Sequence, residues 1–329
     1  KLDLALVFVA AAITAVYVSL PQHSVDKSEF EKFKEVFDKR YTKVEETYRY
    51  TIYQENVKKI EKHNADPTQT YKMAVTQFAD MTQDEFEGTI LKPLSENLIK
   101  LDRLPTIAPK VVIAETYEPV PNALDWRASG AVTGVKNQGN CGSCWSFSTT
   151  GVLEGAVKIK RGTLPNYSEQ RLVDCCGKSG FQCQGCSGAW PEWALNYVNK
   201  QGVVSESSYP YTAVEGACKS MTGESILNPT TPWTMIKAGD FTTLKNTVAA
   251  SPVSVCLDAS NWSLYKSGVF SNCGSSNLNH AVLLVGYEDS GAWIVKNSWG
   301  TSWGETGYIR LAPGDTCGIA EHAITANIA

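Results

Sequence analysis

Apolar positions follow several different rhythms along the chain, and the rhythm changes with position. From Leu4 to Leu20 nearly every residue is apolar or small, broken only by Thr14 and Ser19. A short apolar run after a basic residue, here Lys1, predicts a secretory signal peptide over residues 1–20, with a membrane anchor as the rival reading. Next, Phe30, Phe33, Val36 and Phe37 recur at steps of three and four, and the same period runs from Lys43 to Asn64 before Pro67. Both stretches predict amphipathic helices. From Cys144 to Lys160 the pattern is apolar almost all round, predicting a buried helix closed by Gly162. After Pro252 the rhythm shortens. Val253–Leu257, Ala281–Tyr287, Trp293–Lys296 and Tyr308–Leu311 predict strands. Helices first and strands later indicate an α+β unit with two packed subdomains.

Composition divides the chain near residue 120. Residues 24–119 carry 33 charged residues, no Cys or Trp and only Gly88, whereas 120–329 hold all ten Cys, all nine Trp and 24 of 25 Gly. Pro105, Pro109, Pro119 and Pro121 mark the boundary as an extended connector. The formal net charge of −4 gives no reason to expect nucleic acid or an anionic membrane surface as partner. Ten cysteines suit an oxidising compartment.

The candidate chemistry centres on Gln138-Gly139-Asn140-Cys141-Gly142-Ser143-Cys144-Trp145. A thiol at a helix N-terminus sits at the positive end of the macrodipole, which favours thiolate. The Gln138 amide and the Cys144 N–H together make a two-donor oxyanion hole. Of four histidines only His280 and His322 follow the boundary, and His280 opens an apolar strand. Asn297, seventeen residues on, can accept the second ring N–H of His280, with Trp299 shielding that bond from water.

Cys-Gly-Ser-Cys-Trp, with His280 136 residues and Asn297 153 residues after Cys144, resembles the signature of the papain-like cysteine peptidases. Val120-Pro121 to Asp125-Trp126-Arg127, Asn297-Ser298-Trp299-Gly300 and Trp303-Gly304-Glu305-Thr306-Gly307-Tyr308 extend the likeness over the whole second module. Glu45, Arg49, Tyr53, Asn56, Ile60 and Asn64 resemble the family's propeptide pattern and share one helical face. Ala74–Asp80 resembles a second propeptide motif, with Ala74 and Thr76 replacing its Gly and Asn. The resemblance points to the cathepsin L-like branch and implies a helical propeptide over 24–119. It also implies a peptidase domain over 120–329, with a helical left and a β-barrel-like right subdomain.

By that resemblance Cys144 is the nucleophile, His280 the acid/base, Asn297 its orienter and Gln138 the oxyanion residue. It implies the disulfides Cys141–Cys186, Cys175–Cys218 and Cys273–Cys317, with Cys176 and Cys183 joined in an enlarged loop. A zinc site at Cys175, Cys176, Cys183 and Cys186 is the alternative. An extended substrate would bond to Gly188–Ala189. The pocket for the residue two before the scissile bond would be lined by Trp190, Pro191, Cys256 and Leu278, with His322 at its floor. Ala189 stands where the family has Gly, and its methyl fits only at negative φ. The alternative is that His322 points outward; facing in, it would be mostly neutral at pH 7 and partly cationic at pH 5, so that hydrophobic or aromatic side chains are accepted there and acidic ones improve at low pH.

Asn279 stands where several relatives carry Asp. The insertion that makes an exopeptidase is missing between Cys144 and His280, so an endopeptidase is expected. Asn166-Tyr167-Ser168 and Asn261-Trp262-Ser263 are glycosylation sequons. Expected partners are protein and peptide substrates, the chain's own propeptide as inhibitor and cystatin-like inhibitors, with a monomeric mature form and no cofactor or metal. The destination would be a lysosome, a lytic vacuole or the exterior. Acid would release the propeptide by protonating its carboxylates. A catalytically inactive binding protein is the alternative function.

Overall fold

The computed structural model describes residues 26–92, the backbone of 110–112, 120–273 and 277–329. The expected signal peptide lies outside the described residues, as does most of the Pro105–Pro121 connector. Among the described residues no helix is long and apolar enough to cross a membrane.

Residues 26–40 belong to one compact unit and the described residues from Tyr41 to Ala329 to another. In the first, α1 (Lys27–Val36) is capped by the Asp26 carboxylate, which accepts the Ser28 N–H. Phe30 and Phe33 stack at 5.9 Å and are buried. Val36, expected on the same apolar stripe, is 72% exposed.

The second unit begins with α2 (Lys43–Ala65), whose N-cap is Thr42. It continues through β1 (Tyr71–Met73), α3 (Gln83–Thr89), β2 (Lys110–Val112), β3 (Leu124–Asp125), α4 (Cys144–Arg161), α5 (Glu169–Cys175) and α6 (Pro191–Gln201). Then follow β4 (Trp233–Ile236), α7 (Phe241–Ala250), β5 (Val253–Leu257), β6 (Tyr265–Phe270), β7 (His280–Tyr287), β8 (Trp293–Lys296), β9 (Tyr308–Leu311) and β10 (His322–Ala326).

Helix α4 is buried at every position from Cys144 to Val157, because α5 and α6 cover one side and β5, β7 and β10 the other. Its all-round apolar pattern is that of a core helix. Gly162 ends it in the left-handed conformation at φ 80°, with its N–H bonded to Lys158 O. Helices α4–α6 build one half of the module and the sheet the other. The strand order is β1-β6-β9-β8-β7-β5-β10-β4-β2, with β3 pairing β7. Strand β7 is buried throughout, set between β5 and β8, and this fixes His280 at its first position.

Three of the six family-like residues of α2 hydrogen-bond to the chain that follows the helix. Arg49 donates to Glu85 at 2.7 Å and to Asp80 O at 3.0 Å. Asn56 donates to Ala79 O and Met81 O, and Asn64 exchanges two hydrogen bonds with the Met73 backbone. Their partners are therefore mostly main-chain groups of 73–81, a segment without enough regular structure to satisfy itself. Within the connector, Lys110–Val112 runs parallel to β4 instead of remaining unpaired.

Candidate active site

The first turn of α4 presents Cys144, and the first residue of β7 presents His280. Both are 0% exposed. The Cys144 Sγ accepts the N–H of Ala281, next to His280, at 3.5 Å. His280 Nε2 lies 2.8 Å from Asn297 Oδ1, while His280 Nδ1 has no hydrogen-bond partner. With the Asn carbonyl accepting, Nε2 carries the proton and Nδ1 is the free ring nitrogen. Trp299 stacks on the imidazole at 4.8 Å and 26°. Its far side belongs to an aromatic cluster with Trp262 and Trp303, so water is excluded from the His280–Asn297 bond.

Gln138 is anchored at both ends. Its backbone N–H donates to Ser298 O, and its Oε1 accepts from Ser298 Oγ at 2.7 Å. This aims Nε2 inward, where it donates to Cys141 O at 3.0 Å and Ile90 O at 3.2 Å. Ser298 was not singled out from sequence, although its place beside Asn297 was a signal.

The Ile90 contact shows what fills the cleft. Residues 71–92 run across it. Strand β1 adds antiparallel to β6, and Thr76 Oγ1 donates to Ser263 O. Gln77 donates to Trp299 O, and Phe78 and Phe86 meet the Trp299 ring edge-on at 5.2 and 5.5 Å. The Lys92 N–H donates to Asn279 O. A Cβ on Gly142 would lie 2.5 Å from Lys92 Cγ, and one on Gly188, at φ 105°, 3.2 Å from its Cβ. Only glycines let the chain pass so close.

Covering the site alters its acid–base state. Burial pushes the Cys144 thiol up to about 11, with the Ala281, Trp145 and Cys144 N–H groups only partly opposing it. Burial likewise pulls His280 down to about 4 despite its bond to Asn297. At neutral pH the covered site holds a neutral thiol and a neutral imidazole.

The substrate-side residues fall as follows. Ala189 is not among the non-glycine residues with positive φ, so its methyl is accommodated. Trp190 is buried with its ring 4.2 Å from His322. Cys256 is the cross-strand partner of His322, and Pro191 opens α6. Leu278 is buried near Gly318. The Asn279 side chain is fully used in a local turn, accepting from Ala259 N and donating to Asp258 and Ser260.

At position 322 the imidazole has a partner that the sequence reading did not name: His322 Nε2 lies 3.1 Å from Glu192 Oε2, both side chains being buried. Glu192 was missed because one acidic residue in a helix's first turn reads as an ordinary dipole partner.

Four disulfides join Cys141 to Cys186, Cys175 to Cys218, Cys176 to Cys183 and Cys273 to Cys317. Cys144 and Cys256 are free. The four thiols of the zinc alternative are thus divided among three bridges. Asn166 is exposed, whereas Asn261 is half-buried and donates to Asn272 O.

Comparison with known proteins places these features in a family. Residues 120–327 match the model described as papain family cysteine protease, and residues 30–86 that of the cathepsin propeptide inhibitor domain. The chain is 42% identical to a cathepsin L-like proteinase of Fasciola hepatica, over 89% of this chain and 90% of that one. It is 40% identical to cathepsin L2 of Homo sapiens, over 86% and 87% respectively. Digestive procathepsin L 3 of Tenebrio molitor larval midgut superposes with a TM-score of 0.82 at 36% identity, covering 92% of this chain and 99% of that one. A papain-like fold, a propeptide lying in the cleft and this degree of identity are one finding: the chain belongs to the papain family of cysteine proteases and is a cathepsin L-like cysteine endopeptidase in its latent, propeptide-bearing form.

Proposed function

We propose that Cys144 is the nucleophile, His280 the general acid/base, Asn297 its orienter, and Gln138 with the Cys144 N–H the oxyanion donors. The observation that carries this is the division of labour on one ring. His280 Nε2 is engaged by Asn297 while Nδ1 is left without a partner in the pocket that holds the Cys144 sulfur. Once residues 71–92 leave, the thiol proton passes to Nδ1. The thiolate attacks the scissile carbonyl, and the oxyanion takes the Gln138 donor now given to Ile90 O. The imidazolium then protonates the leaving amine, releasing the first product and leaving a thioester on Cys144. Water, deprotonated by the same nitrogen, adds to the thioester, and collapse returns the thiol and a carboxylic acid.

Substrates are peptide segments lying extended against Gly188–Ala189, selected mainly by the pocket at Trp190, Pro191, Cys256, Leu278 and His322. The test is steady-state cleavage of a fluorogenic peptide by matured Cys144→Ala, His280→Ala and Gln138→Ala. The first two should fall to background and the third by about 10²-fold in kcat. Normal turnover by Cys144→Ala would overturn the assignment.

The reading extends to the life of the chain. Residues 1–20 direct it into the secretory pathway, 24–119 are removed, and 120–329 act as a monomer in a lysosome, a lytic vacuole or outside the cell, open to cystatin-like inhibitors. A glycan fits at Asn166, whose side chain is exposed. N-terminal sequencing, intact mass and sedimentation of the mature enzyme from those compartments check these points together. A mature N-terminus far from Val120 or a stable dimer would overturn them.

A further inference from the structure

His322 and Glu192 form a buried pair that the reaction does not use. The imidazole comes from the start of β10 and is 7% exposed; the carboxylate comes from the first turn of α6 and is 4% exposed. Their 3.1 Å contact lies beneath Trp190, whose ring is 4.2 Å from the imidazole. A second observation is the separation of other charge from the pair. On β5 the neighbour is Cys256, a buried thiol that burial, and then the Glu192 carboxylate, push well above its ordinary range. On α5, Arg171 is held by Tyr197 OH and by the carbonyls of Lys219 and Met221. Glu321, beside His322 in sequence, is exposed and shares a hydrogen bond with Asp315. Among the described residues, the carboxylate in contact with the imidazole is that of Glu192.

We propose that Glu192 is a specificity-determining residue that fixes the charge of the pocket for the second residue before the scissile bond. This rests on the reading that His322 lies at the floor of that pocket. The proton balance gives the consequence. With one proton shared between them the pair has no net charge, whether written as imidazolium–carboxylate or as imidazole–carboxylic acid. With the Glu192 carboxylate beside it, the floor carries one unit of positive charge less than the imidazole alone would supply. An acidic side chain in the pocket therefore meets no unbalanced cation, and the pocket prefers apolar side chains.

The test uses the full chain after maturation and two peptides differing only in Glu or Leu at that position. What is read is the Glu/Leu ratio of kcat/KM at pH 5. The ratio cancels the titration of Cys144 and His280 and the fraction of active enzyme. In Glu192→Gln it should be about tenfold or more above that of the unchanged enzyme, the effect of one unbalanced charge a few ångströms from a carboxylate. Glu192→Leu, which removes the carboxylate without leaving a second polar group, should show the same rise. The rise should disappear in Glu192→Gln/His322→Gln. Its absence from both Glu192 variants, while His322→Gln still alters Leu against Phe selection, overturns the inference. If no substitution at either position changes selection among Leu, Phe and Glu, the pocket assignment itself has failed.

Discussion

The propeptide segment 43–92 and the peptidase module 120–329 share a sheet and a buried cleft but are held in different ways. The module is closed by four disulfides and by a core in which Trp145, Trp190, Trp262, Trp299 and Trp303 are fully buried. The propeptide segment has no cysteine and so no disulfide to the module. It adds one three-residue strand to the sheet, lends Thr76, Gln77 and Gln83 side chains to module carbonyls, and sets Phe78 and Phe86 on Trp299. Its own shape depends on Arg49–Glu85 and on the Asn56 and Asn64 hydrogen bonds, with Tyr41 just before it bonded to Asp80. One region is built to persist; the other rests on a few apolar anchors and on charges that acid can remove.

The two phenyl rings are where that contrast breaks most easily. Removing a buried phenyl ring costs about 3 kcal/mol or more, so Phe86→Ala should loosen the covered state roughly a hundredfold. The check is the rate at which peptidase activity appears from the full chain at pH 7, with Phe78→Ala as a companion. An unchanged rate in both would mean that the rings are not the anchors.

The next effect is that of pH. Burial keeps the covered His280 a neutral imidazole down to about 4. On uncovering, the proton that His280 gains is the one Cys144 gives up, so the pair takes up none and adds no pH dependence of its own. The pH dependence falls to carboxylates such as Glu85: burial opposes ionisation, but the Thr82 N–H and the Arg49 guanidinium outweigh it and hold the carboxyl below its ordinary value. Stabilisation from that pair is complete above the ordinary carboxylate range and is lost as pH falls through the lowered value. Maturation should be slow and flat at neutral pH and steepen as pH falls below about 5. Equal rates at pH 7 and pH 4.5 would contradict this.

Glu85→Gln should have the smallest effect. The pair is partly exposed and worth no more than about 1 kcal/mol, so the onset of maturation should rise by less than about one pH unit. A larger upward displacement would mean that this pair, and not the sum of the propeptide's carboxylates, sets the window.

The sequence reveals the module more fully than the propeptide segment, for a physical reason. Strands β5, β8 and β9 begin and end where Val253–Leu257, Trp293–Lys296 and Tyr308–Leu311 predict, because strands buried on both faces, as β5 and β8 are, make dense apolar runs and a half-buried one, as β9 is, alternates. Helix α4 and its glycine stop are equally legible. Strands β1 and β2 are not: each is three residues long and exists by pairing with a distant strand, so no local pattern marks it. At the site, Cys144, His280 and Asn297 stand out by residue type and spacing. Ser298 behind Gln138, Ile90 beneath it and Glu192 behind His322 matter only through tertiary neighbours, which spacing does not encode.

The central claim is that Cys144 is the nucleophile and that the propeptide keeps it a buried, protonated thiol. Its most direct test is the rate of alkylation by an iodoacetamide at pH 7, before and after maturation, with the modified residue located by mass spectrometry. The full chain should leave Cys144 unmodified over hours. The matured enzyme should take a single label at Cys144 in seconds to minutes, with activity lost in step. Equal rates in the two forms, or a label at Cys256 that abolishes activity, would contradict the account.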